Sequence, residues 1–300
     1  MPASPAAASS EPATWRFDAI GTGWQIDTAE PLGDDTRAVV AEVIERFDRE
    51  WSRFRRDSVV TALSRGASTV PAPPDAAEML DAFVELDRAT HGAVNPLVGS
   101  SLEARGYDAA YGLVDQGARP EPRDWRDRLT WADGRLSLTE PAVIDVGALG
   151  KGRLVDRVLA ALAPYIAGDV VVDASGDLVA RGTPQRIALE HPYDPRRAIG
   201  VVELTDAALC ASATNRRAWG EGLHHVLDAR TGEPVRTIAA TWAVAPSAMP
   251  SPTMRADAIA TALFFDGGPA LAFEWGIEWV RMSTDGRVEW SPGSTAELFT

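Results

Sequence analysis

Apolar and polar residues alternate through WRFDAIGTGWQIDT, residues 15–28, and the Gly-Thr-Gly at its centre predicts two short strand pieces around a bend. Asp34 and Asp35 then precede Val39, Val40, Val43, Ile44, Phe47 and Trp51, whose spacing predicts an amphipathic helix with an acidic start, ending near the basic run Arg53 to Arg56. A second helix is predicted in PDAAEMLDAFVELDRATHG, with Pro74 at its beginning, Met79, Leu80, Phe83, Val84 and Leu86 inward, and Gly92 as its stop. The polar stretch Ala109 to Asp133 reads as a long connection. A third helix follows the glycines between Gly147 and Gly152 and turns Leu154, Val155, Val158, Leu159 and Leu162 to one face. From Asp169 onward short strands dominate (VVVD, RIALE, IGVVEL, HHVLD, ATWAVA and IEWVRM), interrupted by one helix from about Ala256 to Phe265. Strands and helices mixed without a regular period favour an α+β architecture over a doubly wound sheet.

Composition narrows this picture. Three hundred residues, 45% of them hydrophobic, can bury one large core or two modest ones. No linker divides the chain, so residues 15–300 are expected to form one domain behind a small, Pro-rich leader over residues 1–14. That leader lacks the basic and apolar regions of a signal peptide and any cysteine for lipid attachment. No stretch reaches the ~20 apolar residues of a membrane span, so a cytoplasmic protein without an integral membrane segment is the expectation. The formal net charge of -14 argues against nucleic acid or anionic lipid as a partner. Any phosphate must therefore be held locally, by backbone amides, one or two cations or a metal. Cys210 is the only cysteine, which excludes an internal disulfide and Cys-based zinc or iron–sulfur sites.

Three segments carry candidate chemistry. VIDVGALGKGRLVDR, residues 143–157, runs from an apolar strand through a glycine turn to Lys151 and a helix, an arrangement that suits an anion. It is neither a Walker loop nor GxGxxG, and taken alone it is better explained as a plain strand–turn–helix junction whose glycines permit the turn. ADAIATALFF, residues 256–265, puts Asp257 and Thr261 four residues apart on one helix face. A carboxylate and a hydroxyl are hard oxygen ligands of the kind magnesium takes, although a dipole partner and a packing residue would look the same. In LHHVLDARTGEP, residues 223–234, a strand would send His224 and His225 to opposite faces, so one serves a site and the other the fold. His91 and His191 sit near turn signals, and the absence of HxxxH or HExxH spacing argues against a zinc hydrolase.

Taken in order, these and four further segments resemble the ApbE family of FAD:protein FMN transferases, from roughly Phe17 to Phe265. The segments are IGT (20–22), SRFRRDSVVTALS (52–64), VNP (94–96) followed by Gly106-Tyr107, IDVGALGKGRLVDR (144–157), ASGDLVARG (174–182), HHVLDARTGEP (224–234) and ADAIATALF (256–264). The resemblance implies a single ApbE-type, T-fold-like domain with mixed or antiparallel sheets and flanking helices. It implies FAD as substrate and FMN donor, and magnesium held by the Ala148 carbonyl, Asp257 and Thr261. It also implies that Lys151 lies beside the flavin nucleotide, with Ile20, Phe54, Val94, Asn95, Asp156, Ser212, His225 and Val226 among the FAD-binding residues. The implied chemistry is attack by a Ser or Thr hydroxyl of an acceptor flavoprotein on the FMN phosphorus, with AMP leaving. Lys151 and the magnesium held by Asp257 would neutralise charge, and His225, with a near-neutral pKa, would orient or deprotonate the acceptor. A magnesium-dependent FAD pyrophosphatase and a non-catalytic FAD-binding protein are the alternatives. The chain departs from the family pattern at Asn95, where many relatives have Asp, at Ser64 for Asn, Ser175 for Gly and Ile20 for Met. The loop between Pro246 and Arg255 is also about four residues longer.

Overall fold

The computed structural model describes residues 12–66 and 68–299. Strands β1 (Ala13–Ala19) and β2 (Thr22–Thr28) form an antiparallel hairpin closed by Ile20 and Gly21, at φ 47° and 74°. Positive φ at both central residues matches the twist of the flanking strands; glycine adopts it freely, whereas a β-branched residue is strained there. The bend thus falls just ahead of the Gly-Thr-Gly centre. Of the leader expected over residues 1–14, residues 1–11 lie outside the described ones, and Ala13 and Thr14 already belong to β1.

Helix α1 (Asp34–Trp51) buries Val40, Ile44, Phe47 and Trp51 at the predicted spacing. The short α2 (Val59–Ser64) was not foreseen; the Ser58 hydroxyl caps it by accepting the Thr61 N–H at 3.1 Å. Beyond β3 (Thr69–Pro71), α3 (Ala76–Thr90) ends two residues before Gly92, because His91 itself takes the left-handed conformation at φ 55°. Next come α4 (Gly99–Ala104), α5 (Trp125–Arg128), β4 (Leu129–Ala132) and β5 (Arg135–Leu138). The connection expected over 109–133 is therefore shorter, since Trp125 and Leu129 are fully buried and anchor structure inside it. Helix α6 (Gly150–Leu162) stands where predicted.

The second half holds β6 (Val170–Asp173), β7 (Asp177–Arg181), β8 (Gln185–Glu190), β9 (Ala198–Leu204) and β10 (Ala207–Ala213). Four two-residue strands follow, β11 (Ala218–Trp219) paired with β12 (Leu223–His224) and β13 (Leu227–Asp228) paired with β14 (Glu233–Pro234). The chain ends with β15 (Ile238–Pro246), α7 (Pro252–Ala262), α8 (Gly268–Trp275), β16 (Glu278–Ser283), β17 (Val288–Trp290) and β18 (Glu297–Leu298). The HHVLD strand is corrected to two fragments, broken at His225 and Val226. The helix expected from Ala256 begins earlier, at Pro252.

Eight strands make one antiparallel sheet in the order β1-β2-β6-β7-β10-β15-β16-β17. Alternation divides its two faces. Ala208 and Cys210 of β10 and Ala243 and Ala245 of β15 join the main core with α1, α3, α6 and α7. Ala207, Leu209, Ala240 and Trp242 turn the other way, onto Leu189, Ile199, Val202 and Leu204 of the three-stranded sheet β18-β9-β8. The architecture is α+β. The small side chains on the helical face let α7 sit close to the sheet, so α7 is buried on nearly every side, and Asp257 with it, at 3% exposure.

Candidate active site

The crossing of α6 and α7 assembles the residues that carry chemistry. It depends on Gly152: a Cβ there would stand 2.3 Å from the Thr253 carbonyl oxygen and 2.8 Å from the Asp257 Cβ. With no side chain, the Gly152 N–H donates to Asp257 Oδ2 at 3.0 Å. One turn along α7, the Thr261 hydroxyl donates to the Ala148 carbonyl at 3.2 Å. Ala148, Asp257 and Thr261, distant in sequence, are thus brought together. Asp156 fixes the start of α7 by accepting the N–H groups of Thr253 and Met254, at 3.1 and 2.9 Å. Both its oxygens are engaged inside the protein, so the structure gives Asp156 an anchoring task.

Lys151, in the first turn of α6, reaches the β6–β7 turn. Its ammonium donates to the carbonyls of Ala174 and Ser175 at 3.0 and 3.2 Å and lies 3.2 Å from Asp177 Oδ2. That turn needs positive φ at Ser175 (54°) and Gly176 (103°). The requirement explains why glycine suits both positions, and Ser175 offsets its strain by donating to the Gly23 carbonyl at 2.8 Å. The Gly176 carbonyl accepts the Ala211 N–H at 2.8 Å, which sets Ser212 of β10 beside the turn.

Asp177 was quoted in a family segment but not singled out from the sequence. Its side chain is 1% exposed and contacts that of Asp257. Two unprotonated carboxylates cannot hydrogen-bond each other, so a bond between them requires a proton on one, and without it Asp177 Oδ2 has no donor. Burial first, and then the Asp177 carboxylate, push the Asp257 carboxyl well above the usual carboxylate range, against the opposing Lys151 ammonium and Gly152 N–H. A signal for Asp177 existed: an acidic residue opening a strand whose next three residues are apolar or small.

The donors at the crossing are hard oxygens: a carboxylate, a hydroxyl, a carbonyl and the Asp177 oxygen that accepts no hydrogen bond. No group of three or more His, Cys, Asp or Glu side chains suited to a metal occurs among the described residues. Few carboxylates, with coordination left for water and phosphate oxygens, is how magnesium is commonly held, so the residues fit that ion.

His225 lies on the side of Asp145, three residues before Ala148. Its Nδ1 is buried without a partner, and burial, reinforced by Arg217 and His224, lowers its pKa to about 3. The near-neutral value expected from sequence is corrected: the imidazole is neutral. His224 is the structural histidine, its Nε2 2.8 Å from the Val235 carbonyl. Asp145 binds the buried Arg53 at 2.6 Å, and Arg53 also donates to the Tyr107 carbonyl at 2.8 Å while its guanidinium covers Phe54, 4.2 Å from the ring centre. Phe54 stacks on Tyr111 at 5.5 Å, and Tyr111 approaches the hairpin tip at Gly21, beside Ile20. Arg53 was read only as part of the basic run that ends the first helix, and Tyr111 was not marked; residues scattered over fifty positions give no local pattern. Asn95 is buried, with its amide committed to the Pro122 carbonyl at 3.1 Å and the Leu97 N–H at 2.8 Å. Val94 and Val226 are buried in the main core. These three are not brought to the α6–α7 crossing by any contact described.

The chain is similar to known proteins in both sequence and fold. The sequence model of the ApbE family matches residues 20–281. The chain is 23% identical to the FAD:protein FMN transferase of Klebsiella pneumoniae over 282 residues, covering 83% of this chain and 77% of that protein. It is 25% identical to the FAD:protein FMN transferase of Haemophilus influenzae over 283 residues, with 85% and 78% covered. Among solved structures, the apo form of the flavinyl transferase ApbE of Pseudomonas stutzeri matches with a TM-score of 0.74 at 22% identity, covering 94% of this chain and 96% of that one. The apbe protein of Thermotoga maritima matches with a TM-score of 0.76 at 23% identity, over 94% and 97%.

Proposed function

Since this chain belongs to the ApbE family, we propose that it is a FAD:protein FMN transferase, joining the FMN half of FAD to a Ser or Thr hydroxyl of an acceptor flavoprotein and releasing AMP. The observation that carries this reading is the joining of Ala148, Lys151, Asp257 and Thr261 at one helix crossing. Magnesium, when bound by the Ala148 carbonyl, Asp257 and Thr261, supplies charge neutralisation for a pyrophosphate.

The chain's own groups divide the remaining work. Lys151, held by two carbonyls, presents a fixed positive charge beside the start of α6, where the helix dipole favours an anion. Phosphoryl transfer asks for positioning and neutralisation more than covalent help, and a cation pinned on a rigid turn requires no reorganisation during the reaction. His225, neutral in the resting protein, can accept a hydrogen bond from the acceptor hydroxyl and orient it. An anionic substrate alongside would raise its basicity, favouring transient uptake of the hydroxyl proton. In an acidic protein, Lys151 together with the bound ion would do locally what net charge cannot.

Incubation with FAD, Mg2+ and a purified acceptor flavoprotein tests the reading by mass spectrometry of the acceptor and assay of AMP. A covalent FMN adduct on the acceptor is expected, and Asp257→Ala should abolish it while circular dichroism stays native. Free FMN with an unmodified acceptor would instead establish a pyrophosphatase, and FAD bound but never cleaved would establish a binding protein.

A further inference from the structure

Asp177 is the acidic side chain at the crossing that this reading leaves without a task. The cost of holding it there is substantial: a 1%-exposed carboxylate against the buried Asp257 requires compensation worth several kcal/mol. The structure offers little. Lys151 is 3.2 Å from Oδ2, but its aligned hydrogen bonds go to Ala174 and Ser175, and one ammonium faces two carboxylates. Oδ2 itself is buried with no hydrogen-bond partner, and the side chain that carries it contacts Asp257, the proposed cation ligand. Nor can Asp177 swing clear readily: it opens β7 in the centre of the large sheet, paired with Cys210 of β10 on one side and following the Ser175–Gly176 turn on the other. The fold therefore fixes an oxygen that no protein group hydrogen-bonds and that only the shared Lys151 ammonium approaches.

We propose that Asp177 is a further ligand of the divalent cation, its Oδ2 completing a two-carboxylate site with Asp257 beside the Thr261 hydroxyl and the Ala148 carbonyl. The proposal rests on the reading of the crossing as a cation site. A hard divalent ion, Mg2+ or Mn2+, is the chemical class that such oxygens select. It would also explain why two carboxylates are tolerated in contact, because a doubly charged ion balances both.

Mn2+ binding, followed by the electron paramagnetic resonance signal of the free ion, tests this without turnover. Wild type, Asp177→Asn and Asp257→Asn would be titrated alone and with ADP as a pyrophosphate mimic, and their thermal unfolding compared in EDTA. Asp177→Asn should weaken Mn2+ binding about tenfold or more, yet be no less stable than wild type in EDTA, since an amide relieves the contact between like charges. If Asp177 served only to anchor Lys151, Asp177→Asn would lose stability in EDTA and bind Mn2+ as tightly as wild type. That outcome, with binding lost in Asp257→Asn, overturns the proposal and leaves the cation site standing. Absence of Mn2+ binding by wild type, alone and with ADP, overturns both.

Discussion

Gly152→Ala is the sharpest single perturbation of the site. The added Cβ would meet the Thr253 carbonyl oxygen at 2.3 Å, the Thr253 carbonyl carbon at 2.7 Å and the Asp257 Cβ at 2.8 Å. Two of these atoms are backbone, so no flexible side chain can yield, and α6 and α7 must part by about 1 Å to restore ordinary contact. Overpacking of this kind costs about 1–3 kcal/mol, and alanine returns about 1 kcal/mol through its better helix propensity, so the net loss of stability should be about 0–2 kcal/mol. The effect on the site is larger. The same movement stretches the 3.0 Å bond from the Gly152 N–H to Asp257 and shifts Asp257 and Thr261 together against Ala148. A misplacement of about 1 Å can cost about 100-fold in rate. Urea unfolding would measure the first quantity and FMN transfer to an acceptor the second. Turnover close to wild type, with the fold intact, would refute the claim that this crossing positions the catalytic groups.

Asp156→Ala removes the acceptor of two N–H groups at the start of α7, so stability should fall by about 1–2 kcal/mol in urea titration, with FAD affinity changed less than affinity for Mn2+. For His225, the pKa of about 3 lies below the unfolded value of 6.5, so the unfolded chain takes up the proton first and stability is lost as pH falls through that window. At pH 5 the loss relative to neutral pH is at most about 2 kcal/mol, reduced by whatever water reaches the ring, and His225→Gln should remove that part of the pH dependence of unfolding. Ser175→Gly relieves the left-handed backbone while losing the bond to Gly23, so it should be nearly neutral, whereas Ser175→Ala keeps the strain and should cost about 1 kcal/mol in thermal unfolding.

Legibility from sequence followed the physics of each element. Helices α1, α3 and α6 were readable because each sets an apolar stripe against a polar face. β10 escaped notice because AALCASA is built almost wholly of small residues, with Leu209 its one bulky side chain, and the helical face of the sheet demands closeness rather than bulk. The HHVLD segment alternates like a strand but pairs only in two-residue pieces, since the turn from Asp228 to Gly232 closes on itself through the Asp228 carbonyl. His225 was found by its place in a family segment, but its lowered pKa depends on burial and on Arg217, which no local pattern contains.

The two halves of the site lie a hundred residues apart in sequence: Ala148 to Gly152 at the start of one helix, Asp257 to Thr261 inside another. Spacing within each segment could suggest an anion site and a metal ligand pair separately, and each also had an ordinary structural explanation. Burial decides between these explanations. A first-turn carboxylate that merely served the helix dipole would gain its small benefit at the surface, in water. Asp257 instead sits on a helix with almost no polar face, 3% exposed and against a second carboxylate, where its charge costs far more than a dipole returns. Removing that side chain would simplify the packing of α7, and the fold keeps it aligned with a backbone N–H and a neighbouring acid all the same. Groups held at such expense, with strongly displaced pKa values, cluster where ligands bind and reactions occur. The composition of the α6–α7 crossing is therefore what the proposed cation and anionic substrate require, and not what the stability of the core alone would select.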